Sequence, residues 1–374
     1  MKPKPIMPEK LAMSAPDIDE SDISAVIAVL RSGRLALGPK SEELERAVAD
    51  YVGARHAVAV SSGTAALHVI VKALGIGPGD EVLVPSFTFA GSVNALLYEG
   101  ATPVFVEIES ETYNLDPSDL EARITPRTKA IMAVDVFGHP CEWDEILRVA
   151  GRHGLKVIGD SCEALGSEYR GRRVGALGDA SAFAFYPNKQ ITTGEGGIVV
   201  TNRDDVYNDC RSLRNQGRGE MSAWLEHDRL GYNYRMDEMS AALGVSQMKR
   251  IEHFLTKREA VAQRYDRRLA ELACVSVPHR KPGVRMSRFV YVITLTKGSD
   301  RDLVMRRMDE QGISVRGYFS PVHLQPYIRE RFGYRGGELP VTESVAKRTI
   351  ALPFHNNLRE AEIERVVSAL RRSC

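Results

Sequence analysis

Between residues 56 and 200 short apolar runs alternate with segments of helical period, and this alternation constrains the fold more than any other feature. His56–Val60, Glu81–Pro85, 103–108, 130–137 and Lys156–Asp160 read as strands. Helices are expected at about 64–74, 91–98 and 143–151. Strands this short and this uniformly apolar are buried on both faces, which calls for a parallel sheet between two helical layers. Further on, the apolar runs 182–185 and 198–200 flank a glycine-rich turn and read as strand, turn, strand. Upstream, 21–32 reads as an amphipathic helix with Ile23, Val26, Ile27 and Leu30 on one face and Gly33 as its stop, and a second helix lies near 41–52.

The pattern changes after about Tyr234. Residues 236–272 read as a long helix, whole or broken, followed by strands at 289–295 and 313–318, helical material between them, and a final helix at 360–370. A chain of 374 residues exceeds the size at which one core stops growing. The expected organisation is an α/β fold: an N-terminal arm at 1–16, a large α/β domain at 17–245, and a smaller C-terminal α+β domain at 246–374.

Composition narrows the partners. A formal net charge of +1 gives no electrostatic reason to expect nucleic acid or an anionic membrane. The five cysteines, Cys141, Cys162, Cys210, Cys274 and Cys374, are scattered and form no CxxC pair. That argues for reduced thiols in a cytoplasm, without a disulfide frame or structural zinc. Residues 1–10 are polar and rich in Pro and Lys, unlike a signal peptide. No apolar stretch approaches membrane-spanning length.

Four features carry chemistry. Lys189 stands at the edge of the turn Thr192-Thr193-Gly194-Glu195-Gly196-Gly197, beside apolar and aromatic neighbours. Such surroundings disfavour an ammonium, and a neutral amine forms a Schiff base with a carbonyl. Ser61-Ser62-Gly63-Thr64-Ala65-Ala66-Leu67 joins a strand to a helix; its small residues admit a ligand and the helix start suits a phosphate, though an ordinary N-cap has the same residues. Asp160 ends a strand at the edge where open α/β folds bind ligands. There it suits a protonated ring nitrogen, or simply caps the next segment. In Pro85-Ser86-Phe87-Thr88-Phe89 an aromatic ring is available to stack on a flat cofactor. Phe87 reads as core, so the strand must end between the two phenylalanines if only Phe89 is to reach the site. By contrast, Gly75-Ile76-Gly77-Pro78-Gly79 follows a helix and precedes a strand, the wrong order for a dinucleotide fingerprint. The nine histidines show no metal-ligand spacing, and no metal is expected.

In this order, cup, stacker, acid and lysine resemble the sugar aminotransferase (DegT/DnrJ/StrS) family of fold-type-I pyridoxal phosphate enzymes. The resemblance covers nearly the whole chain. It is carried by Ser32-Gly33-Arg34-Leu35, Ser61 to His68, Gly79-Asp80-Glu81-Val82, the Lys189 turn, Gly231-Tyr232-Asn233-Tyr234-Arg235-Met236 and Pro321-Val322-His323-Leu324-Gln325-Pro326. It implies that Lys189 bonds pyridoxal 5'-phosphate and later moves the proton, and that Asp160 pairs with the pyridinium nitrogen. Phe89 is then the ring stacker, with Gly63 and Thr64 on the phosphate. Glu163 falls where the family usually has Gln or His beside the cofactor. Asn233 is expected to reach the cofactor phosphate of a partner subunit, making the working unit a homodimer with shared sites. Tyr186, Arg316 and His323 are candidates for substrate contact.

The implied reaction moves an amino group from an amino acid, L-glutamate by resemblance, to a nucleotide-linked keto-sugar, through pyridoxamine phosphate. Two positions depart from the family: Ala184 where Ser is common, and Tyr186 where His is common. A related sugar dehydratase has His in place of the lysine, so Lys189 argues against it. A cyclitol ketone aminotransferase or a non-catalytic cofactor-binding regulator would keep the same cofactor residues.

Overall fold

The computed structural model describes residues 10–219 and 226–374. Seven strands form the central sheet, in the spatial order His56–Val60, Gly197–Thr201, Ala180–Ala184, Lys156–Asp160, Thr128–Val134, Glu81–Pro85 and Thr102–Val106. Gly197–Thr201 runs antiparallel to both its neighbours, and the remaining neighbouring strands pair in parallel. Side chains alternate between two cores, as a sheet covered on both faces demands. Ala57 and Ala59 pack with Leu44, Val48 and Trp143 on one side. Val58 and Val60 pack with Ala66, Val69 and Ile70 on the other.

Beyond this sheet the expected long helix is broken at Lys249 and Arg250 into Glu238–Met248 and Ile251–Leu269. A second, antiparallel sheet joins Val275–Ser276, Tyr291–Leu295 and Thr349–Leu352. Its core includes Val261, Tyr265, Val304, Ile363 and Val366 from the helices Ile251–Leu269, Arg301–Glu310 and Glu360–Ser373.

Several expectations are corrected. The segment 313–318 is not a strand: Ile313 makes a single bridge to Leu11 and Arg316 one to Ala351, so no continuous ladder forms. The strand expected at 130–137 is Thr128–Val134 and gives way to the turn Val136–Gly138, where Phe137 takes φ 55°. The helix Asp204–Arg214 and the strand Thr349–Leu352 were not foreseen. Of the expected arm, residues 1–9 lie outside the described residues, while Leu11 bonds Gly312.

The first helix, Glu20–Ser32, carries its apolar stripe outward. Ile23 and Leu30 are 44% and 52% exposed, whereas Asp22 is buried. Asp22 turns inward because Gln247 Nε2 donates to its carboxylate at 2.7 Å and Arg250 pairs with it.

Candidate active site

The strands Ala180–Ala184 and Gly197–Thr201 are antiparallel neighbours, and the chain between them forms the lysine turn. Phe185 N–H donates to Gly196 C=O at 2.9 Å, Thr193 N–H returns a bond to Phe185 C=O at 3.0 Å, and Gly194 takes φ 83°. Lys189 reaches from this turn into a cavity of about 480 Å³. Its Nζ lies 3.5 Å from Glu163 Oε1 and 3.7 Å from the centre of the Phe289 ring. One neighbour is ionic and the other a π face that favours a cation.

Asp160 ends its strand on the floor of the cavity and is nearly buried. Ser92 Oγ donates to Asp160 Oδ2 at 2.5 Å, and Cys162 N–H donates to Oδ1 at 3.2 Å. Glu163 follows three residues later, also buried, and accepts from Phe137 N–H at 2.9 Å. Burial pushes its carboxyl up and the Asp160 charge adds to that, while Lys189 and the Phe137 N–H oppose it.

The third wall is the start of the helix Gly63–Ala73. Ser62 Oγ accepts from Ala65 N–H at 3.1 Å, so the cap serves the third free donor and not the first two. The N–H groups of Gly63 and Thr64 belong to the turn that a helix leaves without carbonyl partners. A Cβ on Gly63 would stand 2.7 Å from the Ala184 Cβ and 2.9 Å from Cys162 Sγ, so only glycine fits. The two positions are packed against one another, which ties Ala184 to the shape of this cup.

Phe89 is 67% exposed and lines the cavity, whereas Phe87 is buried against Tyr113, Phe137 and Phe319. The strand ends at Pro85, as its apolar run indicated, so both rings lie beyond it and diverge in the turn before the helix Ala90–Tyr98 without the strand having to end between them.

Thus Gly63, Thr64, Phe89, Asp160, Glu163, Tyr186 and Lys189 line one cavity. Three candidates do not. His323 is fully buried, with Nδ1 2.6 Å from Ser86 Oγ and Nε2 3.2 Å from Glu343 Oε1. Both ring nitrogens are therefore committed, and His323 braces the chain after Pro85 instead of facing the cavity. Arg316 is exposed and its guanidinium donates to Val315 C=O at 2.8 Å. Asn233 is exposed and outside the cavity lining of its own chain. Its neighbours face inward: Tyr234 OH lies 3.0 Å from His68 Nδ1, and Tyr232 OH bonds Glu99. Ser61 N–H donates to Tyr234 C=O at 2.9 Å, joining this segment to the turn that opens the helix Gly63–Ala73. Sequence reasoning missed Ser92, Phe289 and Tyr318, which contact or line the site. Nothing in their local sequence marks them, since each arrives through tertiary packing.

These groups fit a phosphate-bearing aldehyde on a basic aromatic ring. The helix start suits the phosphate, the exposed Phe89 a flat ring, Asp160 a ring-nitrogen proton, and the primary amine of Lys189 an aldehyde carbon.

The comparisons agree. The pattern of the DegT/DnrJ/EryC1/StrS aminotransferase family matches residues 16–371. GDP-perosamine synthase of Caulobacter vibrioides is 42% identical over 366 residues, covering 96% of this chain and 97% of that protein. Among solved structures, DesV of S. venezuelae superposes with a TM-score of 0.90 at 35% identity, covering 97% of this chain and 98% of the other. The Spr1654 protein of Streptococcus pneumoniae, solved in a PLP form, gives 0.92 at 29% identity, with 97% and 98% covered. The chain belongs to the DegT/DnrJ/EryC1/StrS aminotransferase family. Fold and enzyme class stand as expected from the motifs: a fold-type-I, pyridoxal phosphate-dependent sugar aminotransferase.

Proposed function

We propose that this family member transfers an amino group from an amino acid, L-glutamate in the first instance, to a nucleotide-linked keto-sugar. The observation that carries the reading is the convergence of Lys189, Asp160, Phe89 and the Gly63–Ala73 helix start on one cavity. The printed name of the Caulobacter vibrioides relative, a GDP-perosamine synthase, supports a nucleotide-linked sugar as the acceptor.

When bound, pyridoxal phosphate supplies an electrophilic carbon and an electron sink, and carries the amino group between the two half-reactions as pyridoxamine phosphate. The N–H groups of Gly63 and Thr64 would hold its phosphate. The Phe89 ring would cover one face, and the Asp160 carboxylate would keep a proton on the ring nitrogen. Lys189 Nζ would carry the proton from the donor's Cα to the cofactor carbon in the first half-reaction, and from that carbon to the acceptor in the second. Glu163 keeps that amine oriented through the 3.5 Å contact. Tyr186 stands half-exposed on the rim, where an incoming substrate meets it first.

A homodimer with shared sites belongs to the same reading. Asn233 is exposed and outside the lining of its own cavity, and Ile23, Ile27 and Leu30 leave an apolar stripe uncovered by the single chain. Division at about residue 245 into a cofactor domain and a smaller domain, and a cytoplasmic setting for a chain with five free cysteines, complete it. Among the described residues no helix is long and apolar enough to cross a membrane.

The test begins with L-glutamate alone: the cofactor absorbance should pass from the aldehyde to the amine form. Nucleotide-linked keto-sugars offered next should restore the first spectrum. No change with any amino acid would leave a regulator that binds the cofactor without turnover. Recovery only with a free cyclitol ketone would overturn the nucleotide-sugar assignment.

A further inference from the structure

Arg258, on the helix Ile251–Leu269, is buried to 3% exposure. Among the described residues no carboxylate pairs with it. Its hydrogen-bond partners are carbonyls: Nη2 donates to Lys189 C=O at 2.7 Å, and Nη1 donates to Arg288 C=O and Phe289 C=O at 3.2 Å each, while the guanidinium carbon lies 5.6 Å from the centre of the Phe354 ring. Nε has no partner. Burial pulls the guanidinium down to about 10, with Asp17 opposing. A cation buried without a counter-ion is expensive to keep. A neutral side chain of similar volume would fill the same space without that cost, so packing does not account for an arginine here.

What the arginine does contact is informative. One target is the turn that bears Lys189. The other is the segment that bears Phe289, whose ring lies 3.7 Å from Lys189 Nζ. The contacts also close on themselves. Phe289 N–H donates to Phe137 C=O at 3.4 Å, and Phe137 N–H donates to Glu163 Oε2 at 2.9 Å. Glu163 Oε1 faces Lys189 Nζ at 3.5 Å, and Lys189 C=O returns to Arg258. The lysine is thus gripped at both ends, by its carbonyl and by its amine, within one ring of contacts. Removing the guanidinium opens the ring at two places at once.

We propose that Arg258 is a positioning residue for Lys189: it locks the lysine turn against the Phe289 segment, so that the amine is presented between the Glu163 carboxylate and the Phe289 ring. The inference rests on the reading of Lys189 as the residue that bonds the cofactor. Arg258 touches neither cavity nor substrate, so its loss should impair the covalent bond and spare the non-covalent grip of the phosphate cup and Asp160.

The experiment compares wild type with Arg258→Lys, which keeps the charge but not the fork, and Arg258→Gln, which keeps neither. Cofactor-free protein is mixed with pyridoxal phosphate, trapped with borohydride at timed intervals and mapped by mass spectrometry. Non-covalent affinity is measured separately, with each substitution placed in a Lys189→Ala background. Labelling of Lys189 should slow by roughly a hundredfold, as for an ångström-scale misplacement, while affinity in the Lys189→Ala background changes by less than about threefold. Equal labelling rates would overturn the proposal. So would a matching fall in non-covalent affinity, or failure of both variants to fold, either of which would make Arg258 a structural strut. Wild type labelled at a different lysine would instead take down the underlying reading of Lys189, and this inference with it.

Discussion

Ser92 Oγ donates to Asp160 Oδ2 at 2.5 Å, and Thr88 Oγ1 lies 2.8 Å behind Ser92. All three side chains are buried. With Cys162 N–H on Oδ1, both carboxylate oxygens are tied, which fixes the orientation of Asp160 towards the cavity. Asp160→Asn removes the charge at nearly constant volume. It should fold, keep binding the cofactor, and lose roughly a hundredfold or more in turnover. Ser92→Ala leaves the charge and should cost about tenfold. Steady-state kcat for both variants checks this. Near-wild-type turnover in Asp160→Asn would shift the acid's role to Glu163.

Lys189→Ala should lose transamination altogether while still binding pyridoxal phosphate through the helix start and Asp160. Borohydride should fix the cofactor to Lys189 in wild type. Lys189→Arg should not recover the activity, because a guanidinium stays protonated and cannot attack the carbonyl carbon. Peptide mapping of the reduced protein decides the assignment, since an adduct at any other lysine would refute it.

How much of this was legible beforehand follows from where each residue's partners lie in sequence. Asp160 and Gly63 stand at a strand end and a helix start, and Lys189 in the turn between two strands; such places can be read from local apolar patterning. Ser92 and Phe289 cannot be found that way. Ser92 is a helical serine whose partner is 68 residues away, and Phe289 comes from the far side of the chain. His323 misled because a motif fixes residue type but not direction: its ring serves Ser86 and Glu343 instead of the cavity. The first helix misled in the opposite way. Its apolar stripe was legible, but the single chain leaves that stripe outward and buries Asp22 against Arg250 and Gln247.

Asp135 gives a prediction for stability. It is fully buried after its strand and accepts from Ser161 Oγ, Cys141 N–H and Trp143 Nε1 at 2.7, 2.8 and 3.0 Å. Burial nevertheless pushes its carboxyl up to about 6. The unfolded chain titrates this group near about 3.9, so between the two values the folded state holds a proton that the unfolded state has lost. The stability it contributes is full below about pH 3.9 and is lost as pH rises through the folded value, a swing of roughly 3 kcal/mol. Asp135→Asn should abolish this swing. Urea unfolding of both proteins from about pH 4 to 7 should show wild type losing ground to the variant as pH rises. A constant difference across that range would mean Asp135 stays ionised in the native state.

Asn233 gives the test of assembly. It lies after the loop 217–230, of which 220–225 fall outside the described residues, and it is exposed on its own chain. Yet Ser61 N–H holds Tyr234 C=O at 2.9 Å, so the segment leaves from the edge of the turn that opens the helix Gly63–Ala73, the proposed phosphate cup. If its amide completes the cup of a two-fold partner, each dimer carries two equivalent sites built from both chains. Asn233→Ala should then weaken cofactor binding, and Lys189→Ala should abolish turnover. In a dimer mixed from the two variants, both lesions fall in one site, because Asn233 serves the lysine of the opposite chain. The other site has an intact lysine and an intact amide. Mixing two impaired proteins should therefore restore activity, up to half the wild-type sites in every mixed dimer. Activity no higher than the sum of the separate variants, with mixed dimers shown by mass, would place Asn233 in the service of its own chain or confine it to holding the Tyr232 and Tyr234 segment in place.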